Sequence, residues 1–408
     1  MSEIALSQND LDYIFTPQAI RDRAKLVYED AKAGRGHFLI QDDLLPDVVQ
    51  YVMAVIAKNY PDGKIPFHSR RGHFRAGGID RVTQFKEKLR KDFGGDSLEQ
   101  ARAEVDLVVT SVLLDAGAGA KWLYKEAGTG VTIGRSEGLG IASLHMFEAG
   151  AMSGDRRSLK ADASGLKSLT VSDLEKHFQV SDGNPMVGVE GRLGLLNALA
   201  RAVENRAVFP TPRPGAMVDT LLERHGKTIP ATGILAVVLE GLGVIWPGRL
   251  TAKGPYGHRN LGDVWEHARL GTLIPLHKLS QWLTYSLIEP LQDAGLTVTG
   301  VEQLTGLAEY RNGGLLVDRD LIRLKDPSEL QKTWRPESEL VIEWRALTIY
   351  FLDVIGREVQ KAMGKTPAEF PLAKVLEGGT WWAGRFAAKE KRPSSDPPIR
   401  IESDGTVF

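Results

Sequence analysis

The stretch SELVIEWRALTIYFLDVIGREVQKAMG, residues 338–364, limits the possible folds more than any other part of the chain. Between Val341 and Asp353 it is apolar on nearly every side of a helix, interrupted only by Glu343, Arg345 and Asp353. A helix that is hydrophobic all round is buried, and an unpaired buried charge costs several kcal/mol. Glu343 and Arg345 stand two apart and do not face each other on a helix. Each therefore needs a partner elsewhere. The segment EYRN at 309–312 offers an acid and a base able to satisfy both, an ion-pair network that explains the charges without any substrate.

Helical periodicity runs through the rest of the chain. In TPQAIRDRAKLVYEDAKAG, residues 16–34, Thr16 can cap, Pro17 suits the first helical position, Ile20, Ala24 and Val27 share a face, and Gly34 ends the pattern. LLPDVVQYVMAVIAKNY, SLEQARAEVDLVVTSVLLDAG and EGRLGLLNALARAVENR read the same way, whereas strands are few and short, such as GVTIG at 130–134 and PIRIES near the end. The expected class is mainly α with few short strands. No fixed-period repeat or long low-complexity linker divides the chain, so residues 1–408 read as one unit or as two intimately packed helical subdomains.

Composition closes off several functions. Lys and Arg number 51 against 52 for Asp and Glu, so no global field recruits nucleic acid or a membrane surface. The absence of cysteine excludes disulfides, thiolate metal sites and a cysteine nucleophile. The start shows no signal-peptide pattern. The apolar run ILAVVLEGLGVIW at 234–246 is interrupted by Glu240 and too short for a membrane span, so a cytoplasmic location is expected. Val407 and Phe408 give the terminus a hydrophobic end that is expected to dock.

Three constellations could carry chemistry. In IPFHSRRGHFRAGGIDR, residues 65–81, His68, Arg70, Arg71, His73, Arg75 and Arg81 crowd around Gly77 and Gly78 ahead of a helix. Guanidinium groups and exposed amides suit phosphate or carboxylate; solvated arginines with Asp80 as a helix cap are the plain alternative. In IPLHKLSQWLTYSLIEPLQDAG, residues 274–295, Lys278, Gln281 or Trp282, Tyr285 and Glu289 share one helical face. With His277 just before them, they read as a ligand wall or as a solvated stripe. In LTGLAEYRNGGLLVD, residues 304–318, Gly306, Gly313 and Gly314 give the backbone freedom to present Glu309, Tyr310, Arg311 and Asn312 at an element end. Asp263, Asp318 and Glu343 remain eligible beside Glu309 for the role of working acid.

HExxH, P-loop and GxSxG motifs are absent, and nine histidines show no ligand spacing, so no metal or other cofactor is expected. LEGGTWW at 376–382 lacks the acidic pair of a phosphoribosyltransferase loop and reads as a helix break.

Taken in order, IPFHSRRGHFRAGGIDR, NPMVGVEGR, HKLSQWLTYSLIEPL, LTGLAEYRNGGLLVD, IEWRALT, LEGGTWWAGR and the terminal SDGTVF resemble the uracil-catabolism family of fungi and bacteria. That family is the fourth gene product of the pathway that releases urea from uracil. At Arg70, Arg71, Gly72 and His73 the chain departs from the family pattern, which has an aromatic residue between the arginines and a basic one before the histidine. The pathway passes through a ribosylated urea, so the resemblance implies cleavage of the bond between ribose and urea, on a free riboside or its 5′-phosphate. EYRN followed by IEWRA is also similar to segments of the queuosine-nucleotide salvage glycosidases, which implies a DNA-glycosylase-like helical architecture. There Glu309 takes the catalytic carboxylate's place, with Glu for Asp.

The implied chemistry is carboxylate-assisted hydrolysis through an oxocarbenium-like state. Arg311 and Arg345 would orient Glu309, Tyr310 or Asp318 would handle protons, and His68, Arg70, Arg71 and His73 would hold a 5′-phosphate. Asp263, His277, Lys278, Gln281, Tyr285, Asn312 and Glu343 complete the expected substrate-binding set. The expected partner is a small-molecule ribosylated substrate, with no nucleic acid, no membrane and an open oligomeric state. A non-catalytic nucleotide-binding protein and a phosphoribosyltransferase are the alternatives.

Overall fold

A computed structural model describes residues 2–115, 117–119, 121–246, 250–254 and 257–402. The terminal SDGTVF, with its expected docking of Val407 and Phe408, lies outside the described residues. The fold is mainly α, as the periodicity requires. It divides into two compact units: Met1–His68 with Gly248–Trp282 and Gly300–Phe408, and Ser69–Pro247 with Leu283–Thr299. The division falls inside the Lys278–Asp293 helix. Among the described residues no helix is long and apolar enough to cross a membrane.

The first unit is built on the Glu339–Ala362 helix, buried at sixteen positions from Leu340 to Gln360. Burying a Leu, Ile or Phe side chain contributes about 1.5–3 kcal/mol, which sets this helix at the centre. The Pro17–Lys32, Leu45–Asn59 and Tyr310–Asp318 helices pack against it. Thr16 accepts from the Ala19 amide at 3.1 Å, and Ile20, Ala24 and Val27 face inward as their spacing demands. Short strands tie the ends together: Ser2–Ala5 lies parallel to Leu250–Gly254, which pairs antiparallel with Gly257–Asn260. Val264–His267 and Thr272–Pro275 form a hairpin.

Gly313 and Gly314 lie within the Tyr310–Asp318 helix at ordinary helical φ, so backbone freedom is not their use. A Cβ on Gly313 would fall 2.7 Å from Thr348 Oγ1 and 2.8 Å from Trp344. Its absence is what lets this helix press onto the Glu339–Ala362 helix.

LEGGTWW is not a break. The chain runs without interruption from the Leu372–Val375 helix through a π-helical turn, Leu376–Thr380, into the Trp381–Lys391 helix. A Cβ on Gly379 would come within 2.6 Å of Val52 Cγ1, and one on Gly378 within 3.0 Å of Ile65 Cδ1. The glycine pair thus admits neighbouring side chains, and a glycine chosen for close approach looks in sequence like one chosen for a turn.

In the second unit the Ser97–Leu113 helix is the buried centre, contacted by the Arg81–Phe93, Arg135–Glu148 and Val189–Ala202 helices. Leu123–Lys125 pairs antiparallel with Thr132–Gly134, within the GVTIG stretch read as a strand. Asp80 caps the Arg81–Phe93 helix, accepting from Thr83 N at 3.2 Å.

Candidate active site

Glu309 is the N-cap of the Tyr310–Asp318 helix. One carboxylate oxygen accepts from Arg311 N at 2.8 Å and the other from Asn312 N at 2.6 Å. Both hydrogen bonds come from backbone dipoles, which favour a negative group at a helix start. Glu309 is 8% exposed, while its neighbour Tyr310 reaches the surface at 36%. Among the described residues no lysine or arginine pairs with Glu309. The Arg311 guanidinium does not orient it; it donates to Ser395 O at 2.8 Å and lies over the Tyr310 ring, leaving only the Arg311 amide on the carboxylate.

The peptide leading into Glu309 is anchored by an ion pair. Arg345 donates to both Asp263 oxygens at 2.7 Å, and its Nε reaches the Ala308 carbonyl at 3.3 Å. Asp263 also accepts from Trp265 Nε1 at 2.7 Å and Lys278 N at 2.9 Å. Burial pushes the Asp263 carboxyl up, yet Arg345 and these donors hold it well below the usual carboxylate range. Every Asp263 oxygen is therefore committed, and its role is to position Arg345, the Lys278 helix start and the Ala308–Glu309 peptide.

The expected pairing of Glu343 and Arg345 with EYRN is replaced by other partners. Arg345 takes Asp263, while Glu343 accepts from His37 N at 2.7 Å and from Arg269. Burial raises the Glu343 carboxyl, but His267, the His37 amide and Arg269 together keep it below its ordinary value. Asp318, buried at the far end of its helix, accepts both Arg392 nitrogens at 2.7 and 2.6 Å. His267, Glu339 and Glu343 bring one ligand atom each within 4.8 Å of one another. Arg269 already lies between the two acids, bonded to Glu339 at 3.3 Å and to Glu343, and supplies the positive charge there.

The arginine-rich segment does not form one anion clamp. Arg71 spends its guanidinium on Glu104 Oε1 at 2.5 Å and Asp293 Oδ2 at 2.5 Å, with Glu289 at 3.7 Å. Burial works against its charge, but these three acids raise it above the ordinary value. Arg70 is fully buried and donates to Ser111 Oγ at 2.7 Å and Asp115 Oδ1 at 2.6 Å, with His73 Nδ1 at 2.8 Å. His68 turns to another partner, Glu377, at 2.7 Å.

The Lys278–Asp293 helix is no solvated stripe: Gln281 and Tyr285 are 0% exposed and Trp282 5%. His277, at φ 44°, lets its Nε2 meet Ile14 O at 3.1 Å and stacks on Phe15. Burial lowers its pKa, so the ring is held neutral.

Buried polar atoms with no hydrogen-bond partner among the described residues include both amide atoms of Gln281, Asn312 Oδ1 and Thr380 Oγ1. Each such atom costs about 1–3 kcal/mol of lost solvation. Gln281 lies one turn past Lys278, whose amide Asp263 holds, and Asn312 lies one turn past Glu309. Thr380 closes the π turn that packs on the Tyr310–Asp318 helix. Three unsatisfied side chains thus belong to elements anchored from the Asp263–Arg345 pair or packed on the helix that Glu309 caps. Sequence reasoning missed Thr380 and Glu377 because LEGGTWW read as a break. An acid inside an otherwise apolar, glycine-bearing run was the available signal.

Comparisons with known proteins agree with the resemblance drawn from the motifs. The chain is 37% identical to protein urg3 of Schizosaccharomyces pombe, covering 99% of this chain and 100% of that one. It is 35% identical to uracil catabolism protein 4 of Lachancea kluyveri, covering 98% of this chain and 99% of that one. The family model described as a protein of unknown function, DUF1688, matches residues 13–408, and the chain belongs to that family.

Proposed function

We propose that the protein hydrolyses the N-glycosidic bond of a ribosylated urea, or of its 5′-phosphate, in uracil breakdown. The pathway is supported by the Lachancea relative, which is named for uracil catabolism and aligns over nearly the whole chain. The reaction type rests on one observation. Of the four acids eligible from sequence, Asp263, Asp318 and Glu343 are each bonded to an arginine, whereas Glu309 is buried and, among the described residues, held by backbone amides alone.

Two backbone amides fix the direction of the Glu309 carboxylate, and each oxygen retains a further lone pair. Cleavage of C1′–N builds positive charge on the ribose, and a preorganised negative oxygen in a water-poor site stabilises that charge strongly. Arg345 contributes by holding the Ala308 carbonyl, so the Asp263–Arg345 pair sets where the carboxylate begins. Gln281, Asn312 and Thr380 supply unspent acceptors and donors of the kind that ribose hydroxyls and urea nitrogens require. A DNA-glycosylase-like relation, a small-molecule substrate, a cytoplasmic location and a cofactor-free reaction belong to the same proposal.

The test is urea release from ribosylurea and from its 5′-phosphate, run beside calorimetric titration with the same two compounds. Urea release from either one is the expected result. Tight binding with no urea released overturns the reading in favour of a non-catalytic binding protein, and activity that requires pyrophosphate overturns it in favour of a phosphoribosyltransferase.

A further inference from the structure

His68, Glu377 and Tyr60 form a relay in which the histidine is buried and the other two are half-buried. The His68 Nδ1 lies 2.7 Å from Glu377 Oε2, and the Tyr60 hydroxyl donates to Glu377 Oε1 at 2.9 Å. Burial, together with the Glu377 charge, pushes the Tyr60 hydroxyl well above the ordinary phenol range, so it remains a donor. A carboxylate opposite Nδ1 selects the tautomer with its proton on Nδ1 and leaves a lone pair on Nε2. No group among the described residues bonds Nε2, and it is not one of the buried atoms left without a partner, so this nitrogen is open to water although the residue as a whole is only 5% exposed. A ring nitrogen that keeps its lone pair and meets water is placed to take a proton from that water.

The relay is anchored to elements that pack on the helix Glu309 caps. His68 N donates to Ala373 O at 2.9 Å, and the ring packs on Trp381 with centroids 5.6 Å apart. Glu377 projects from the π turn, a distortion frequent at functional sites. The Tyr310–Asp318 helix packs on that turn and on the Trp381–Lys391 helix. A Cβ on Gly384 would fall 2.0 Å from the Arg311 carbonyl, two residues past Glu309, and Trp381 stands one turn before Gly384.

We propose that His68 is the general base of the reaction, taking the proton of the attacking water, with Glu377 and Tyr60 as positioning residues. This rests on the glycosidase reading above. The C1′–N bond breaks with its electron pair on nitrogen, the water oxygen bonds C1′, and the water proton passes to His68 Nε2. The departing nitrogen takes up one proton from solvent while His68 returns the water proton to solvent, so ribosylurea and water give ribose and urea. Among the described residues, the charged and titratable groups in contact with the ring or its immediate partners are Glu377, Tyr60 and Arg385, which lies 4.8 Å over the Trp381 ring that packs on His68.

The test combines nitrogen-15 NMR of the histidine rings in the full chain with urea release by H68Q, E377Q, E377D, Y60F and H68G. The expected spectrum shows His68 protonated on Nδ1. In H68Q, kcat falls by about 10²–10⁴-fold, as for loss of a general base, KM changes little, and the rise of rate with pH on the acid side disappears. E377Q loses less, E377D recovers part of that loss, Y60F loses least, and added imidazole restores part of the H68G rate. Urea release by wild type with undiminished kcat in H68Q overturns the base assignment alone, as does an Nε2-protonated His68. No urea from wild type with either riboside overturns the glycosidase reading and the base with it.

Discussion

Two regions bury charge in opposite ways. Around Arg71 the charges cancel: one guanidinium meets Glu104, Asp293 and Glu289, and Lys86 adds a further contact to Asp293 at 2.5 Å. At the start of the Tyr310–Asp318 helix a carboxylate is buried, held by two backbone amides and by no cation among the described residues. A saturated network has nothing left to offer a ligand, and its worth lies in not being broken. A carboxylate held by dipoles keeps spare lone pairs, and for that reason the proposed chemistry is assigned to the second place although arginine density pointed to the first.

The contrast is sharpest in variants. E309Q is expected to lower kcat by at least about 10³-fold, the scale of a lost electrostatic stabiliser. Its stability should change by less than about 2 kcal/mol, because the amide oxygen still caps the helix. Steady-state urea release and denaturant unfolding read the two quantities. The mirror case is E104A, which strips a buried partner from Arg71; unfolding free energy should fall by about 3–5 kcal/mol while kcat per folded molecule stays the same. An E104A protein of full stability, or one with lost turnover, would erase the distinction between the two regions.

G384A probes how closely the Glu309 helix must sit on its neighbour. The added methyl meets the Arg311 carbonyl at 2.0 Å, a backbone atom that cannot rotate away. Overpacking of this kind costs about 1–3 kcal/mol. Because it displaces the residues that cap through Glu309, kcat should fall along with the melting temperature, whereas a substitution to Ala at Gly183, which has open space, should change neither.

The smallest effects separate the regions by pH. In the second unit His145 lies 3.3 Å from Glu148 and 2.8 Å from Glu126, which raise its pKa above the ordinary 6.5 against the pull of burial. That stabilisation is complete below 6.5 and is lost as pH rises through the raised value, so H145Q should flatten the decline of stability on the alkaline side. His277 in the first unit has its pKa lowered by burial. Its contribution is complete above 6.5 and is lost as pH falls toward the lowered value, so H277Q should flatten the decline on the acid side instead. Thermal melts across this range measure both slopes.

The sequence made the helices legible wherever an apolar face repeated, as in Pro17–Lys32 with its Thr16 cap and in Glu339–Ala362. It could not rank the acids. Glu309, Asp263, Asp318 and Glu343 look alike in one dimension, and what distinguishes them is that arginines from distant positions, 345, 392 and 269, reach three of the four. Arg311, which the resemblance implied would orient Glu309, instead ends its side chain at Ser395 O, a partner 84 residues away that the local sequence does not reveal. The π turn was hidden for a related reason: Gly378 and Gly379 signal a break locally, and only the neighbouring Val52 and Ile65 show why a helix would carry them.

The measurement that bears most directly on the account is a side-by-side assay of wild type and E309Q on the ribosylurea substrate, with binding followed by calorimetry. The account predicts that both proteins bind it with similar affinity and that only wild type liberates urea. Equal rates of urea release from the two proteins would contradict it.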